Sequence, residues 1–250
     1  MKRVSGKFLF FGLIALMVFP GCNDENQQKG VAMNKTVLIK TDDPQLTYLL
    51  PSPKTDGTVS VEKALANRRS HRMFQNRELS AEQLSQILWA AYGITIPMSN
   101  RPSGGLRTTP SAGALFPLEM YVVVGNVADV ETGLYKYVSK EHKIVRTRDR
   151  DVRAELSAAA LNQVMIKDAP ITVVYTAVFD RITTRYGERG RERYVFMEIG
   201  HSAQNVYLQA EALGLGTCAI GAFQDDKVSE SLGLAEEEKP FYLMPTGYFK

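Results

Sequence analysis

The stretch Thr108 to Val124, TTPSAGALFPLEMYVVV, constrains this chain more than any other. It opens on Pro110-Ser111-Ala112-Gly113-Ala114, small residues that leave the backbone open to close approach. After Pro117 it runs into Met120-Tyr121-Val122-Val123-Val124, an aromatic and β-branched run that predicts a buried strand. A small-residue loop feeding a core strand is suited to holding a flat ring, because its amides are reachable and the strand keeps them still. A plain turn before a strand uses the same residue types, so this pattern alone leaves both readings open.

The N-terminus is the second strong signal. Lys2, Arg3 and Lys7 form a positive start, and Phe8 to Phe19 is apolar but too short to span a bilayer as a helix. Pro20-Gly21-Cys22 then gives way to the polar Asn23-Asp24-Glu25-Asn26-Gln27-Gln28. This resembles a bacterial lipoprotein signal in which Cys22 becomes the lipidated first residue, with Phe19 where that motif usually carries leucine. Simple secretion is the next reading, and a core helix ending in a buried cysteine fits the charged start poorly. The expected organisation is residues 1–21 as signal peptide, 22–59 as tether and N-terminal wrapping segment, and 60–250 as one domain. The expected location is exported and membrane-anchored.

The formal net charge of +3 falls close to neutral once Lys2, Arg3 and Lys7 are removed with the signal. No basic field is left to draw in nucleic acid. Only Cys22 and Cys218 exist, so there is no disulfide framework or CxxC motif, and Cys218 reads as an inert packed thiol. His71, His142 and His201 match no metal-ligand spacing, and no metal is expected.

Along the chain, Thr36 to Lys40 predicts a short strand, and Asp42 to Gly57, with three prolines, a loop wrapping the surface. A helix begins behind Ser60. A second is specified by Ser80 and Gln83 as a capping box, an apolar face of Leu84, Ile87, Leu88, Ala91 and Tyr92, and Gly93 as the stop. Ile96 to Gly113 reads as loop. Gly133 to Val138 and His142 to Arg146 predict a hairpin, Asp151 to Ala160 a helix, and Ile171 to Ala177 a second buried strand. The arginine-rich Ile182 to Arg193 reads as a solvated face or mobile segment. Tyr194 to Leu213 is the longest predicted helix, with an apolar arc, widened by Phe196, Gly200 and Ala212, that suits a central or interface position. Gly214 to Phe223 reads as a loop, followed by a helix from about Asp226 to Leu232 and a last strand at Phe241 to Met244.

Three pieces carry chemistry. Arg68-Arg69-Ser70-His71-Arg72 gathers fixed charge and a hydroxyl at a helix end, suited to planar recognition of a phosphate, although an exposed basic helix end also complements the helix dipole. The Pro110 to Leu115 loop offers amides. Gly214-Leu-Gly-Thr-Cys-Ala-Ile-Gly221 is a second small-residue loop without the strand–helix context of a dinucleotide fingerprint. With Glu198-Ile-Gly-His-Ser-Ala-Gln-Asn205 and Pro245-Thr246-Gly247-Tyr248, these pieces in this order resemble the flavin-dependent nitroreductase family, in the branch containing azoline dehydrogenases.

The resemblance spans about Val61 to Tyr248. It implies an α+β fold, a three-layer α/β/α arrangement around a central mixed, mostly antiparallel sheet. It also implies a homodimer with FMN at the subunit interface. On this reading Arg68, Arg69, Ser70 and Arg72 hold the ribityl phosphate. Pro110, Ser111, Ala112, Gly113 and Leu115 line the ring from the partner subunit, and Ala219, Ile220 and Gly221 lie on its other side. No side chain is expected as a catalytic nucleophile, since flavin carries ping-pong electron transfer from a small-molecule donor to an organic acceptor. Many members carry a C-terminal extension that brings basic residues to the phosphate. With Lys250 last here, the clamp is expected to be weaker or to borrow an arginine from the Arg185 to Arg193 run. Export places the chain where NAD(P)H is scarce, which leaves the donor open. The alternatives are a heterocycle or peptide dehydrogenase reoxidised by oxygen or quinone, and a non-catalytic flavin-binding lipoprotein.

Overall fold

Extended backbone turns successive side chains to opposite faces, and this alternation builds the two halves of the core. The strands Leu118–Val124 and Ile171–Val178 pair antiparallel at mid-sheet, with Val122 opposite Val173 and Val123 opposite Thr172. Met120, Val122 and Val124 join one apolar cluster, and Tyr121 and Val123 join the other.

The computed structural model describes residues 38–41 and 45–250. The expected signal, Cys22, the tether and the first two residues of the Thr36 to Lys40 strand lie outside the described residues. In chain order the elements are β1 (Ile39–Lys40), β2 (Thr47–Leu49), α1 (Val61–Asn67), α2 (Ala81–Tyr92), β3 (Ile94–Pro97), β4 (Gly105–Arg107), β5 (Leu118–Val124), β6 (Gly133–Val138) and β7 (Lys143–Arg148). There follow α3 (Arg153–Ala159), α4 (Met165–Asp168), β8 (Ile171–Val178), α5 (Asp180–Arg189), α6 (Val195–Ala212), β9 (Gly216–Thr217), α7 (Asp225–Leu232) and β10 (Glu238–Gly247).

One eight-stranded sheet runs β1-β2-β7-β6-β5-β8-β10-β9. Leu84, Ile87 and Leu88 of α2 and Ile199, Ala203 and Val206 of α6 cover one face. Leu156 of α3, Ile166 of α4 and Val228 and Leu232 of α7 cover the other. This is the expected α+β, three-layer arrangement. Every strand pair in the large sheet is antiparallel; the parallel component is confined to the isolated bridges Ser70–Thr217 and Leu79–Val127.

The helix starts follow their caps. Ser60 Oγ accepts from Lys63 N at 3.2 Å. At α2, Gln83 N donates to Ser80 Oγ at 3.3 Å while Ser80 N donates to Gln83 Oε1 at 3.0 Å, closing the capping box.

Four expectations need correction. The wrapping loop contains β2, pinned to β7 because Tyr48 is buried beside the Tyr135 ring, with centroids 6.0 Å apart. The loop from Ile96 is a two-stranded ribbon, β3 with β4; Gly104 and Gly105 take φ of 83° and 145°, and a Cβ on Gly105 would stand 2.1 Å from the Ile96 carbonyl oxygen. The arginine-rich segment is helical: α5 is anchored by the buried Ile182, broken by Gly187 at φ 55°, and carried by a π turn over Gly190–Tyr194 into α6. The loop after Gly214 contains the edge strand β9, paired to β10 through Thr217 and Thr246.

Candidate functional site

The first cluster forms where α1 ends. Arg68 leaves the helix at φ −45° and ψ 120°, and the extended chain that follows lets His71 N donate to Thr217 O at 3.0 Å. Ser70 is thereby set beside β9. Tyr207 of α6 ties the two segments together: its hydroxyl is 3.0 Å from Ser70 Oγ and accepts from Ala219 N at 2.8 Å. The Arg68 guanidinium lies over the Tyr207 ring, 5.3 Å from its centroid. Arg72 is near enough to Cys218 that its charge opposes the burial that pushes this thiol up. Ile220 is fixed by paired backbone hydrogen bonds with Leu243 at 2.9 and 3.0 Å. Gly221 is exposed, and a Cβ there would meet Tyr242 only at an ordinary 3.4 Å.

Arg68, Ser70, Arg72, Ala219 and Ile220 therefore converge. Arg69 turns back instead, donating from Nη1 to Ala66 O at 3.1 Å and Arg68 O at 2.8 Å, so its fork caps its own helix. Neither Arg68 nor Arg72 has an ion-pair partner among the described residues. Unpaired guanidinium groups beside an exposed hydroxyl fit a phosphate.

The second cluster is the Pro110–Leu115 loop. Asn205 Nδ2 holds its approach by donating to Thr108 O at 3.2 Å and Thr109 Oγ1 at 3.3 Å, and Thr109 Oγ1 donates to Ala91 O at 2.9 Å. Ser111 Oγ then accepts from Phe116 N at 2.9 Å and closes the turn. Within it Gly113, Ala114 and Phe116 take φ of 63°, 55° and 49°. Left-handed backbone disfavours residues with a Cβ, so the turn stores strain that Ser111 and the strand behind it hold in place. Pro110 and Gly113 are exposed, while Ser111, Ala112 and Leu115 are partly buried. A Cβ on Gly113 would lie 2.8 Å from the Tyr186 hydroxyl and 3.2 Å from Arg185 Nη1. The helical α5 thus brings one arginine of the charged run to this loop.

Beneath the loop lies Glu198 of α6, 2% exposed. Tyr92 donates to its Oε1, and its Oε2 has no partner. Burial pushes the carboxyl pKa up to about 7; the nearby Ser111 and Tyr92 hydroxyls and the charge of Arg107 act in the opposite direction. The Arg107 guanidinium sits over the Tyr92 and Phe116 rings, 4.2 and 4.8 Å from their centroids, with Nε buried and without an acceptor.

Both clusters hang from α6, through Tyr207 in one case and Asn205 and Glu198 in the other. No hydrogen bond or ion pair among the described residues joins Arg68–Arg72 to Pro110–Leu115 within the chain. Sequence reasoning did not assign roles to Tyr207, Tyr92, Arg107 or Tyr186. Tyr207 sits on the apolar stripe of α6 and reads as core, yet its hydroxyl joins two distant segments. Among the described residues no group of three or more His, Cys, Asp or Glu could hold a metal ion, and no helix is long and apolar enough to cross a membrane.

Comparison with known proteins identifies the family and the fold. The family model described as the nitroreductase family matches residues 65–248. A Methanocaldococcus jannaschii protein named as a nitroreductase, MJ1384, is 48% identical over 189 residues, covering 76% of this chain and 91% of that one. A crystal structure of a Ralstonia eutropha JMP134 protein, also named as a nitroreductase, superimposes with a TM-score of 0.67 at 28% identity over 82% of this chain and 90% of that chain. The Escherichia coli microcin synthetase McbBCD complex, with truncated pro-MccB17 bound, contains a chain of the same fold: TM-score 0.61, 22% identity, 80% of this chain and 76% of that chain.

Proposed function

The chain belongs to the nitroreductase family, and from that premise we propose that it is an FMN-dependent oxidoreductase acting as a homodimer. The observation that carries this reading is the meeting of Arg68 and Ser70 with the Thr217–Ile220 segment through Tyr207, with the charge of Arg72 beside Cys218 of that segment. Two guanidinium groups without carboxylate partners and an exposed hydroxyl suit a ribityl phosphate, and Arg69 takes the lesser task of closing α1. The Pro110–Gly113 loop, fixed by Asn205 and Ser111, suits one face of a flat ring. Since the two clusters make no direct bond within one chain, the loop of one copy would face the arginine cluster of the other.

Bound flavin would supply the two-electron chemistry. The chain's own residues position it and exclude water. Gly113 keeps side-chain atoms off the ring, and Tyr186 and Arg185 close over the loop. Glu198, with Tyr92 donating to it, keeps a buried proton-holding group directly beneath. The uncharged outer face of α6, Phe196, Met197, Gly200, His201 and Gln204, supports the pairing of two copies.

The test is the chromophore. Purified protein is expected to be yellow and to release FMN on heating. Arg68→Ala is expected to lose most of its FMN with an unchanged circular dichroism spectrum; full occupancy in that variant would remove the phosphate role, and a colourless, folded wild type would end the reading.

We propose further that Cys22 is acylated after export, on the strength of Lys2, Arg3, Lys7 and the apolar Phe8 to Phe19 run. Cys22→Ser is expected to move the protein from the membrane fraction to the soluble one. An unchanged distribution would exclude a lipid anchor at that residue.

A further inference from the structure

Beside the strained turn lies a cavity of about 740 Å³, lined by Arg101, Pro102, Ser103, Arg107, Gly113–Phe116 and Arg181. Its walls have two characters. Pro102 and Leu115 offer apolar surface for a flat body, and three guanidinium groups offer positive charge with no carboxylate among the lining residues. Arg185, which reaches the Gly113 edge, adds a fourth.

These arginines are not equally available. Arg181 is ion-paired with Glu119 and donates to Phe116 O, so it is largely satisfied. Arg107 is not. Its two terminal nitrogens make only long contacts, 3.4 Å to Tyr92 O and 3.4 Å to Ser103 O, and its buried Nε has no acceptor at all. A partly buried guanidinium short of acceptors is costly to maintain, and the cost falls when an anion arrives. Arg101 is exposed at the rim and makes no ion pair among the described residues. Next to this cavity a smaller one of about 170 Å³ shares Ser103, Arg107 and Arg181 and adds Lys136 and Lys140. Lys136 there is held by Glu119 at 3.2 Å and Glu238 at 3.4 Å. Arg185 and Lys140 likewise make no ion pair among the described residues, so the free positive charge lies on Arg101, Arg107, Arg185 and Lys140, of which Arg101 and Arg107 line the larger cavity.

We infer that this cavity takes a planar organic acid, its ring on Pro102 and Leu115 and its carboxylate on Arg101 and Arg107. Placing it as the acceptor of the reaction rests on the flavin reading above, because the same Gly113–Phe116 turn borders both. Guanidinium suits this ligand for two reasons. Its planar fork matches a carboxylate with two parallel hydrogen bonds, and its charge survives at any physiological pH. A neutral aromatic of equal shape would gain the apolar contacts and leave Arg107 unsatisfied, so the discrimination between the two is built into the wall.

Isothermal titration of the purified full-length protein with benzoate and with benzamide reads this directly, since the two ligands share ring and size and differ in charge. Benzoate is expected to bind about tenfold tighter or better, equivalent to about 1.4 kcal/mol, and to weaken as salt rises. Arg107→Met and Arg101→Met are each expected to shrink that preference severalfold, and Arg107→Lys to restore part of it. Arg101 is exposed, so its variant tests the point even if Arg107→Met does not fold. Equal binding of the two ligands, or an undiminished benzoate preference in the folded variants, would overturn the inference. The flavin absorbance of the same sample separates the two failures. A colourless protein defeats the flavin reading and the acceptor role with it, whereas a yellow protein that binds both ligands alike defeats the anion pocket alone.

Discussion

Glu198 is the residue whose titration the fold exposes most clearly. Its carboxyl has an ordinary value of 4.5 and is pushed up to about 7 in the folded chain, chiefly by burial. A raised folded value means that the contribution is whole below about 4.5 and is lost as pH rises through 7; the difference in pKa corresponds to about 3 kcal/mol at full ionisation. His142 works in the other window. Burial lowers its value from 6.5, so its contribution is whole above 6.5 and is lost as pH falls below that. Between pH 4.5 and 7 the two run in opposite senses, so a decline in stability across that window belongs to Glu198 and not to His142. Denaturant unfolding followed from pH 4.5 to 8 is expected to show that decline in the wild type and to lose it in Glu198→Gln, and equal slopes in both would place the titration elsewhere. Glu198 is three residues after Val195 and four before Ser202, so the helical period puts it on the buried face of α6, but nothing nearby in the chain shows what receives its carboxyl. Its burial depends on Tyr92 and on a loop far earlier in the chain that folds over it. The Arg68–Arg72 group, in contrast, was legible because charge density at a helix end is a local property, although the diversion of Arg69 to Ala66 O was not.

Elements were legible in proportion to their length and to the chemistry of their ends. The α2 capping box, the Val122–Val124 core and the α6 rhythm all carry strong local signals, and each stands where the sequence places it. The strands that sequence reasoning missed, β2, the β3–β4 ribbon and β9, have between two and four residues each, too few for a period to show. They exist because a neighbouring strand completes their hydrogen bonds, which is a tertiary cause. α5 was missed for a different reason. It buries little beyond Ile182, so its polar composition looks the same in a helix as in a loop. The Ser111–Phe116 turn is where conformation and function meet at this scale. Gly113 combines left-handed backbone with a 2.8 Å approach to the Tyr186 hydroxyl, so valine there brings both backbone strain and a clash. Gly113→Val is expected to cost about 2 kcal/mol in stability and to lower the flavin-to-protein ratio below half of the wild type. Thermal unfolding and heat-released FMN measure the two effects separately. Normal flavin with lowered stability would make Gly113 a folding residue only.

At the scale of the whole molecule the question is why one chain should not suffice. The arginine cluster and the small-residue turn are both anchored to α6, yet no bond joins them within the chain, and the outer face of that helix is dressed for contact. Phe196 and Met197 are 50% and 56% exposed, and a Cβ on Gly200 would touch nothing within 4 Å. Gly200, His201 and Gln204 continue the strip without a formal charge. A two-fold pair through this face would bury the same residues twice, so a single substitution there acts on both sides of the interface. Met197→Asp brings two carboxylates into an apolar contact and leaves the sheet core untouched, because Met197 packs into neither apolar cluster. Light scattering is expected to give a dimer for the wild type and a monomer for the variant. The monomer is expected to keep its circular dichroism and lose its flavin, because each site would then lack the half carried by the other copy. If monomeric Met197→Asp held flavin as firmly as the wild type, one chain would contain the complete site, and the Pro110–Gly113 loop would have to reach the cofactor by a path other than the partner's surface.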